Sequence, residues 1–170
     1  MLNKVDVNFC FQALDLKNLD KLSGNFSKYD SDNDGRLNKN EFIQWLTDDG
    51  IEKAVARKLF YIADSNNEKS LSLQSFEEFA KFQNDMMIKD ETDEYINYVY
   101  NCVRSRSNHP GGLNEKEFLK FMKLINTPVG VFNHKKVFKQ YDLDQNGTIE
   151  LDEIMNKINF RNAQLLKSDN

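Results

Sequence analysis

Apolar residues recur along this chain at helical rather than strand spacing. Leu19, Leu22 and Phe26 in LDKLSGNFSKY, Val55, Leu59, Phe60 and Ala63 in EKAVARKLFYIA, and Phe118, Phe121, Met122 and Ile125 in EKEFLKFMKLI each keep to one side of a 3.6-residue repeat. Charged and amide residues fill the remaining sides, as in a helix that buries one stripe and wets the rest. Eight such helices can be drawn around polar stretches that begin at residues 30, 64, 106 and 142. Ser72 and Asn114 are predicted helix starts, Thr127-Pro128 ends another helix, and Asp90 or Thr92 caps the helix containing Tyr95, Val99 and Cys102. The pattern predicts an all-α fold made from a repeated helix-loop-helix unit.

The polar stretches carry the chemistry. In DSDNDGRLNKNE, Asp30 to Glu41, three carboxylates stand on alternate residues ahead of Gly35. Crowding like charges in this way is costly without a counter-ion. A calcium loop draws oxygens from positions 1, 3, 5, 7, 9 and 12 and needs glycine at position 6 for a sharp turn. Those positions hold Asp30, Asp32, Asp34, the carbonyl of Arg36, Asn38 and Glu41, with Gly35 at the turn. The segment DLDQNGTIELDE repeats the arrangement with Asp142, Asp144, Asn146, the carbonyl of Thr148, Glu150 and Glu153 around Gly147. An ordinary surface turn explains Asp and Gly. It does not explain a glutamate at the twelfth position of both segments.

These segments and their flanks resemble the EF-hand superfamily. Phe26 and Tyr29 precede the first loop, and Phe138 and Tyr141 the last, at the same distances from the opening aspartate. Leu37 and Ile149 occupy position 8, where the resemblance implies a short strand contact with a partner loop. Two weaker copies supply those partners. DSNNEKSLSLQS, residues 64–75, keeps Asp64, Asn66, Glu68 and Leu71 but has Lys69 in place of glycine and Ser75 in place of the twelfth-position glutamate. RSNHPGGLNEKE, residues 106–117, keeps Gly111, Leu113 and Glu117 but opens with Arg106 and has Pro110 at position 5. Lysine is disfavoured at positive φ, and neither Arg106 nor Pro110 offers a side-chain oxygen, so both copies are expected to hold no calcium. His109 is read as a solvated loop histidine, since His134 is the only other histidine and no cysteine cluster accompanies either. Successive loop starts are 34, 42 and 36 residues apart, and the longest interval marks the boundary between lobes. The expected lobes are 1–86, with loops 30–41 and 64–75, and 87–170, with loops 106–117 and 142–153. In each, the two loops would meet through short antiparallel strand contacts.

Composition narrows what such a protein does. At 170 residues and 39% hydrophobic content the chain can bury a core. Its formal net charge of -4 argues against constitutive binding to nucleic acid or an anionic membrane. No apolar run reaches the roughly 18 residues of a membrane span, and MLNKVDVNFCF has neither the basic start of a signal peptide nor the glycine needed for myristoylation. Cys10 and Cys102 are read as core thiols, which fits a reducing, cytoplasmic setting. Thirteen phenylalanines against five methionines predict a defined aromatic core rather than an adaptable methionine-rich groove. Met86 and Met87, at the expected joint between lobes, are the residues placed to meet a target or the other lobe. VDVNFCFQALDL is apolar enough to pack against its own protein. No Gly-rich phosphate loop, nucleophile elbow or Cys-His pair points to an enzyme.

The expected cofactor is therefore calcium, two ions per chain. The expected function is that of a calcium-dependent sensor or regulator of a protein target. Two ions add +4 to a net charge of -4, lowering self-repulsion and favouring association with that target or with another copy. The alternative is a soluble intracellular calcium buffer resembling sarcoplasmic calcium-binding proteins.

Overall fold

A computed structural model describes residues 19–89, 92–125 and 133–158. The segment VDVNFCFQALDL with Cys10, Asp90 and Thr127-Pro128 lie outside the described residues, as do the side chains of Leu19, Leu22, Met86, Met87 and Thr92. The chain divides into two compact units, Met1–Tyr95 and Ile96–Asn170. In the first, α1 (Leu19–Tyr29) leads through a loop to β1 (Arg36–Asn38) and α2 (Lys39–Asp48). A second helix, loop and helix follow as α3 (Lys53–Ala63), β2 (Ser70–Ser72) and α4 (Leu73–Lys89). From there the chain continues as α5 (Thr92–Arg104), α6 (Glu115–Leu124), α7 (His134–Tyr141) and a helix over residues 151–158, α8.

The helices begin where side chains can satisfy their first N–H groups. At α2, Asn38 Oδ1 accepts from the backbone N–H of Asn40 at 2.9 Å and of Glu41 at 3.3 Å, while the Glu41 carboxylate accepts the Asn38 N–H at 2.9 Å. Asn114 and Glu117 repeat this reciprocal cap at α6, with distances of 3.0, 3.1 and 3.0 Å. Ser72 Oγ accepts the Ser75 N–H at 3.1 Å at the start of α4. Both predicted starts, Ser72 and Asn114, are thus helix caps, each a feature worth about 1 kcal/mol.

Each unit closes on its own aromatic core. In the first, Phe42 meets Phe60 and Phe76 edge-on at centroid distances of 5.6 and 5.7 Å, and Trp45 lies 4.9 Å from Phe76. In the second, Phe118 packs against Phe138 at 5.8 Å and Tyr141 at 5.0 Å. These tilted and edge-to-face contacts add to the stabilisation from area burial. Cys102 is buried, as expected of a core thiol.

The loops pair as their position-8 residues predict. β1 and β2 run antiparallel with Arg36 opposite Ser72, Leu37 opposite Leu71 and Asn38 opposite Ser70. Leu113 and Ile149 form the matching bridge in the second unit, exchanging two N–H···O bonds of 2.8 Å. Leu37, Leu71, Leu113 and Ile149 are all essentially inaccessible, so the strand contacts are pegged into the cores from above. Among the described residues no helix is long and apolar enough to cross a membrane.

Candidate functional site

The first loop winds tightly because its turn residues accept positive φ. Asn33 sits at φ 56° and Gly35 at φ 77°, which brings the Gly35 N–H to 2.9 Å from Asp30 Oδ2 and the Asp34 N–H to 3.1 Å from Asp30 Oδ1. Glu41, in the first turn of α2, reaches back across the loop. Its Oε1 accepts the Ser31 hydroxyl at 2.6 Å and the Ser31 N–H at 3.1 Å. The loop therefore has two clasps, one from position 1 to position 6 and one from position 12 to positions 2 and 9. They gather carboxylate oxygens of Asp30, Asp32 and Glu41 within 4.8 Å of one another. Asp34 and Asn38 lie on the same loop, their side-chain oxygens accepting the Arg36 N–H at 2.8 Å and the α2 cap bonds.

The fourth loop has both clasps as well. Gln145 and Gly147 take φ 60° and 84°. The Gly147 N–H donates to Asp142 Oδ2 at 3.2 Å, and Glu153 accepts the N–H groups of Leu143 at 2.6 Å and Glu150 at 3.0 Å. Asp142, Asp144 and Glu153 converge within 4.8 Å. Asp142 is only 9% exposed, and its Oδ1 is buried with no hydrogen-bond partner. Asn146 and Thr148 lie alongside, the Asn146 amide donating to Asp144 at 2.9 Å and the Thr148 hydroxyl to Glu150 at 2.8 Å.

The acidic groups respond to this crowding. Burial and the neighbouring Glu150 carboxylate raise the Glu153 pKa above the usual range. Burial also works against the charge of Glu150, yet donors from Thr148, Asn146 and Gly112 outweigh it and hold that carboxyl low. Glu41 is low for a similar reason: burial opposes its charge, but the Ser31 hydroxyl and the backbone N–H groups of Asn38, Ser31 and Asp32 prevail. Asp32 is raised by desolvation and by the carboxylates of Asp34 and Glu41. Clusters that hold several carboxylates together against repulsion, with oxygen donors only, suit a hard cation.

The other two loops each keep one clasp. In residues 64–75, Lys69 adopts the turn at φ 68° despite its side chain, and its N–H donates to both oxygens of buried Asp64 at 3.3 and 3.2 Å. Position 12 is Ser75, whose hydroxyl meets that of Ser72 at 2.8 Å. In residues 106–117 the opening clasp is absent, because position 1 is Arg106, while Glu117 still accepts the Asn114 N–H. His109 stays partly exposed on its loop, as its sequence reading as a solvated histidine expects, but it also has partners that the sequence does not announce. Its Nε2 lies 2.9 Å from Glu117 Oε2 and 2.9 Å from the Asn114 amide nitrogen, with Nδ1 3.0 Å from the Pro110 carbonyl oxygen. A titratable ring meets the twelfth-position carboxylate, which in the first and fourth loops accepts the N–H of position 2.

Two cross-loop contacts were beyond sequence reasoning. Arg36, noted only for its carbonyl, extends its guanidinium onto Ser70 and Glu68 of the second loop. Gly112 of the third loop donates its N–H to Glu150 of the fourth at 3.0 Å. A Cβ on Gly112 would lie 2.4 Å from the carbonyl carbon and oxygen of Ile149, so only glycine allows this approach. No motif announces either contact, since each depends on strand register.

No curated protein matches the chain. Two families do: the EF-hand domain pair over residues 20–82 and the EF hand over residues 135–158. The first spans both loops of the first unit and the second spans the fourth loop. Both matches fall on helix-loop-helix segments whose loops gather carboxylates on a turn of positive φ, and the chain belongs to the EF-hand calcium-binding proteins.

Proposed function

We propose that the first and fourth loops are the working calcium sites, giving two ions per chain, and that their occupancy regulates a protein partner in the cytoplasm. The ligands would be Asp30, Asp32, Asp34, the Arg36 carbonyl, Asn38 and Glu41 in one loop, and Asp142, Asp144, Asn146, the Thr148 carbonyl, Glu150 and Glu153 in the other. The observation that carries the reading is Asp142 Oδ1, a buried carboxylate oxygen without a partner beside Asp144 and Glu153. Leaving such an atom unpaired costs free energy that a bound cation would recover. Calcium supplies a hard dication that accepts oxygens from several directions at once. Glu41 stands in the first turn of α2 and Glu153 in the first turn of α8, so a change in how either carboxylate is held is felt at once by a helix. That coupling is what favours a regulatory role.

The aromatic cores favour a second reading, a compact calcium buffer. Rings as tightly set as Phe42, Trp45 and Phe76 leave little room for a helix pair to open. Calorimetry on metal-free protein tests the site assignment: two equivalents are expected, in the range of about 10⁻⁷–10⁻⁵ M typical of sensors. Three or four tight sites would overturn it. An apolar-dye titration with calcium or chelator separates the two roles, a regulator exposing apolar surface on loading and a buffer exposing little. Pull-downs under the same two conditions at matched ionic strength should recover a partner only with calcium.

A further inference from the structure

Arg36 occupies position 7 of the first loop, where the reading above uses only its backbone carbonyl. Its side chain does something else. Nε donates to Ser70 Oγ at 2.7 Å, one Nη donates to the Ser70 carbonyl oxygen at 3.2 Å, and the same nitrogen pairs with the Glu68 carboxylate. Glu68 belongs to the second loop, outside both proposed ligand sets, and is itself held by the Asn66 amide. Three contacts therefore fasten one residue of the calcium loop to its neighbour.

The rest of β1 is already fixed. Leu37 is fully buried opposite Leu71, and Asn38 is tied into the α2 cap. Arg36 is the residue at which the strand turns back into the loop, and its side chain supplies the anchor on that side. The abutment is rigid for a reason visible in the second loop: Asp64 is buried and clasped by the Lys69 N–H, while Ser75 leaves no twelfth-position carboxylate to draw that loop around an ion of its own. A planar guanidinium with several donors in fixed directions suits such a fork better than an ammonium would.

We infer that Arg36 is a positioning residue of the first calcium site, its guanidinium moored to Ser70 and Glu68 so that its own carbonyl is presented to the ion. This inference rests on the first loop being a calcium site. It runs against the simplest electrostatic expectation, in which a nearby cation only repels calcium and a nearby carboxylate only attracts it. Charge alone predicts opposite effects: Arg36→Gln would tighten binding and Glu68→Gln would weaken it. Positioning predicts that both weaken it, because either change releases the fork.

The test is a calcium titration of the full chain carrying Glu153→Gln, so that the remaining equivalent reports the first loop. Arg36→Gln and Glu68→Gln should each weaken that equivalent by roughly three- to fivefold, the range of a partly exposed ion pair. The double variant should be no weaker than either single one, and Arg36→Lys should fall between wild type and Arg36→Gln. The metal-free thermal midpoint and helical circular dichroism of each variant should stay close to the parent, which a general loss of folding would not permit. Tighter binding by Arg36→Gln, additive losses in the double variant, or no change in either single variant would overturn the assignment. If the Glu153→Gln parent itself binds no calcium, the first-loop site reading fails instead, and the positioning role falls with it.

Discussion

The second and third loops depart from the EF-hand ligand pattern in opposite halves, and the difference separates what folds such a loop from what gathers its carboxylates. Residues 64–75 keep the opening clasp, with Asp64 receiving the N–H of position 6, and lose the closing carboxylate to Ser75. Residues 106–117 keep the closing clasp, with Glu117 receiving the Asn114 N–H, and lose the opening carboxylate to Arg106. Both still place a buried leucine at position 8 and both still pair with their neighbour. One clasp and one peg are enough for the fold. Among the described residues, two clasps, each ending in a carboxylate, occur only where Asp30, Asp32 and Glu41 or Asp142, Asp144 and Glu153 come together.

The largest effect should come from removing a closing carboxylate. Glu41→Gln and Glu153→Gln are each expected to abolish about one of the two calcium equivalents, since glutamine has one carbonyl oxygen and no charge where calcium wants a bidentate carboxylate. Glu117→Gln should leave the stoichiometry unchanged, because the third loop has no opening carboxylate to share an ion with. Calorimetry on the three variants checks this directly. Equal losses for Glu117→Gln and Glu153→Gln would erase the distinction between silent and working loops.

Stability should ignore that distinction. Leu71 and Leu113 belong to the second and third loops and are as deeply buried as Leu37 and Ile149 in the first and fourth. Leu71→Ala and Leu113→Ala are expected to cost about 2–5 kcal/mol each in metal-free protein, the usual range for a buried leucine. Chemical denaturation measures it. A loss below 1 kcal/mol at either position would mean that the silent loop is an ornament rather than part of its unit's core.

Much of this was legible in the sequence because it is written in short-range terms. The helical spacing of Phe118, Phe121 and Met122, the caps at Ser72 and Asn114, and the oxygens at alternate loop positions are all fixed within a dozen residues. The pairing of loops followed from a single apolar residue at position 8. His109 and Arg36 were not legible, because what they touch depends on how a loop folds back or which residue lies across a strand. Lys69 is instructive in another way. Its conformation is unfavourable locally, but the buried Asp64 carboxylate needs an N–H there, and satisfying that need outweighs the strain of positive φ.

Gly112 tests how far the third loop controls the fourth. In the first unit the link is a side chain, Arg36 on Ser70, and in the second it is the backbone N–H of Gly112 on Glu150. Gly112→Ala forces a Cβ against the Ile149 carbonyl and should cost about 1–3 kcal/mol, as overpacking usually does. It should also weaken calcium binding at the fourth loop, since the shift needed to relieve the clash moves the donor that holds Glu150. Gly24→Ala is the contrast: its Cβ would meet nothing within 4 Å at an exposed position of α1, and it should stabilise by about 0.5–1 kcal/mol through helix propensity. Thermal unfolding of both variants, with calcium titration of the first, distinguishes a packing constraint from a general intolerance of alanine.

The smallest expected effect separates the second and third loops by pH. The second is closed by hydroxyls and backbone N–H groups that do not titrate near neutrality. The third is closed by His109 on Glu117, with Arg104 donating to the His109 carbonyl oxygen. The Pro110 carbonyl oxygen, and then the Glu117 carboxylate, raise the His109 pKa above its ordinary value of about 6.5. A group whose pKa is raised by folding stabilises the folded state when protonated, fully below the unfolded value and not at all above the folded one. Glu117 has the opposite shift: burial opposes its charge, but the Asn114 N–H and then the Ser107 and His109 side chains hold its pKa low, so its contribution is present above about 4.5 and is lost as the pH falls through the lowered value. The pair is therefore complete between those limits. Metal-free protein should lose a small increment of stability as pH rises through the raised His109 value; His109→Gln should remove that pH dependence, whereas Gln74→Ala in the second loop should keep it. Parallel melting curves from pH 5.5 to 8.5 measure it. A wild type and a His109→Gln variant that lose stability in step across this range would show that His109 does not help to close the third loop.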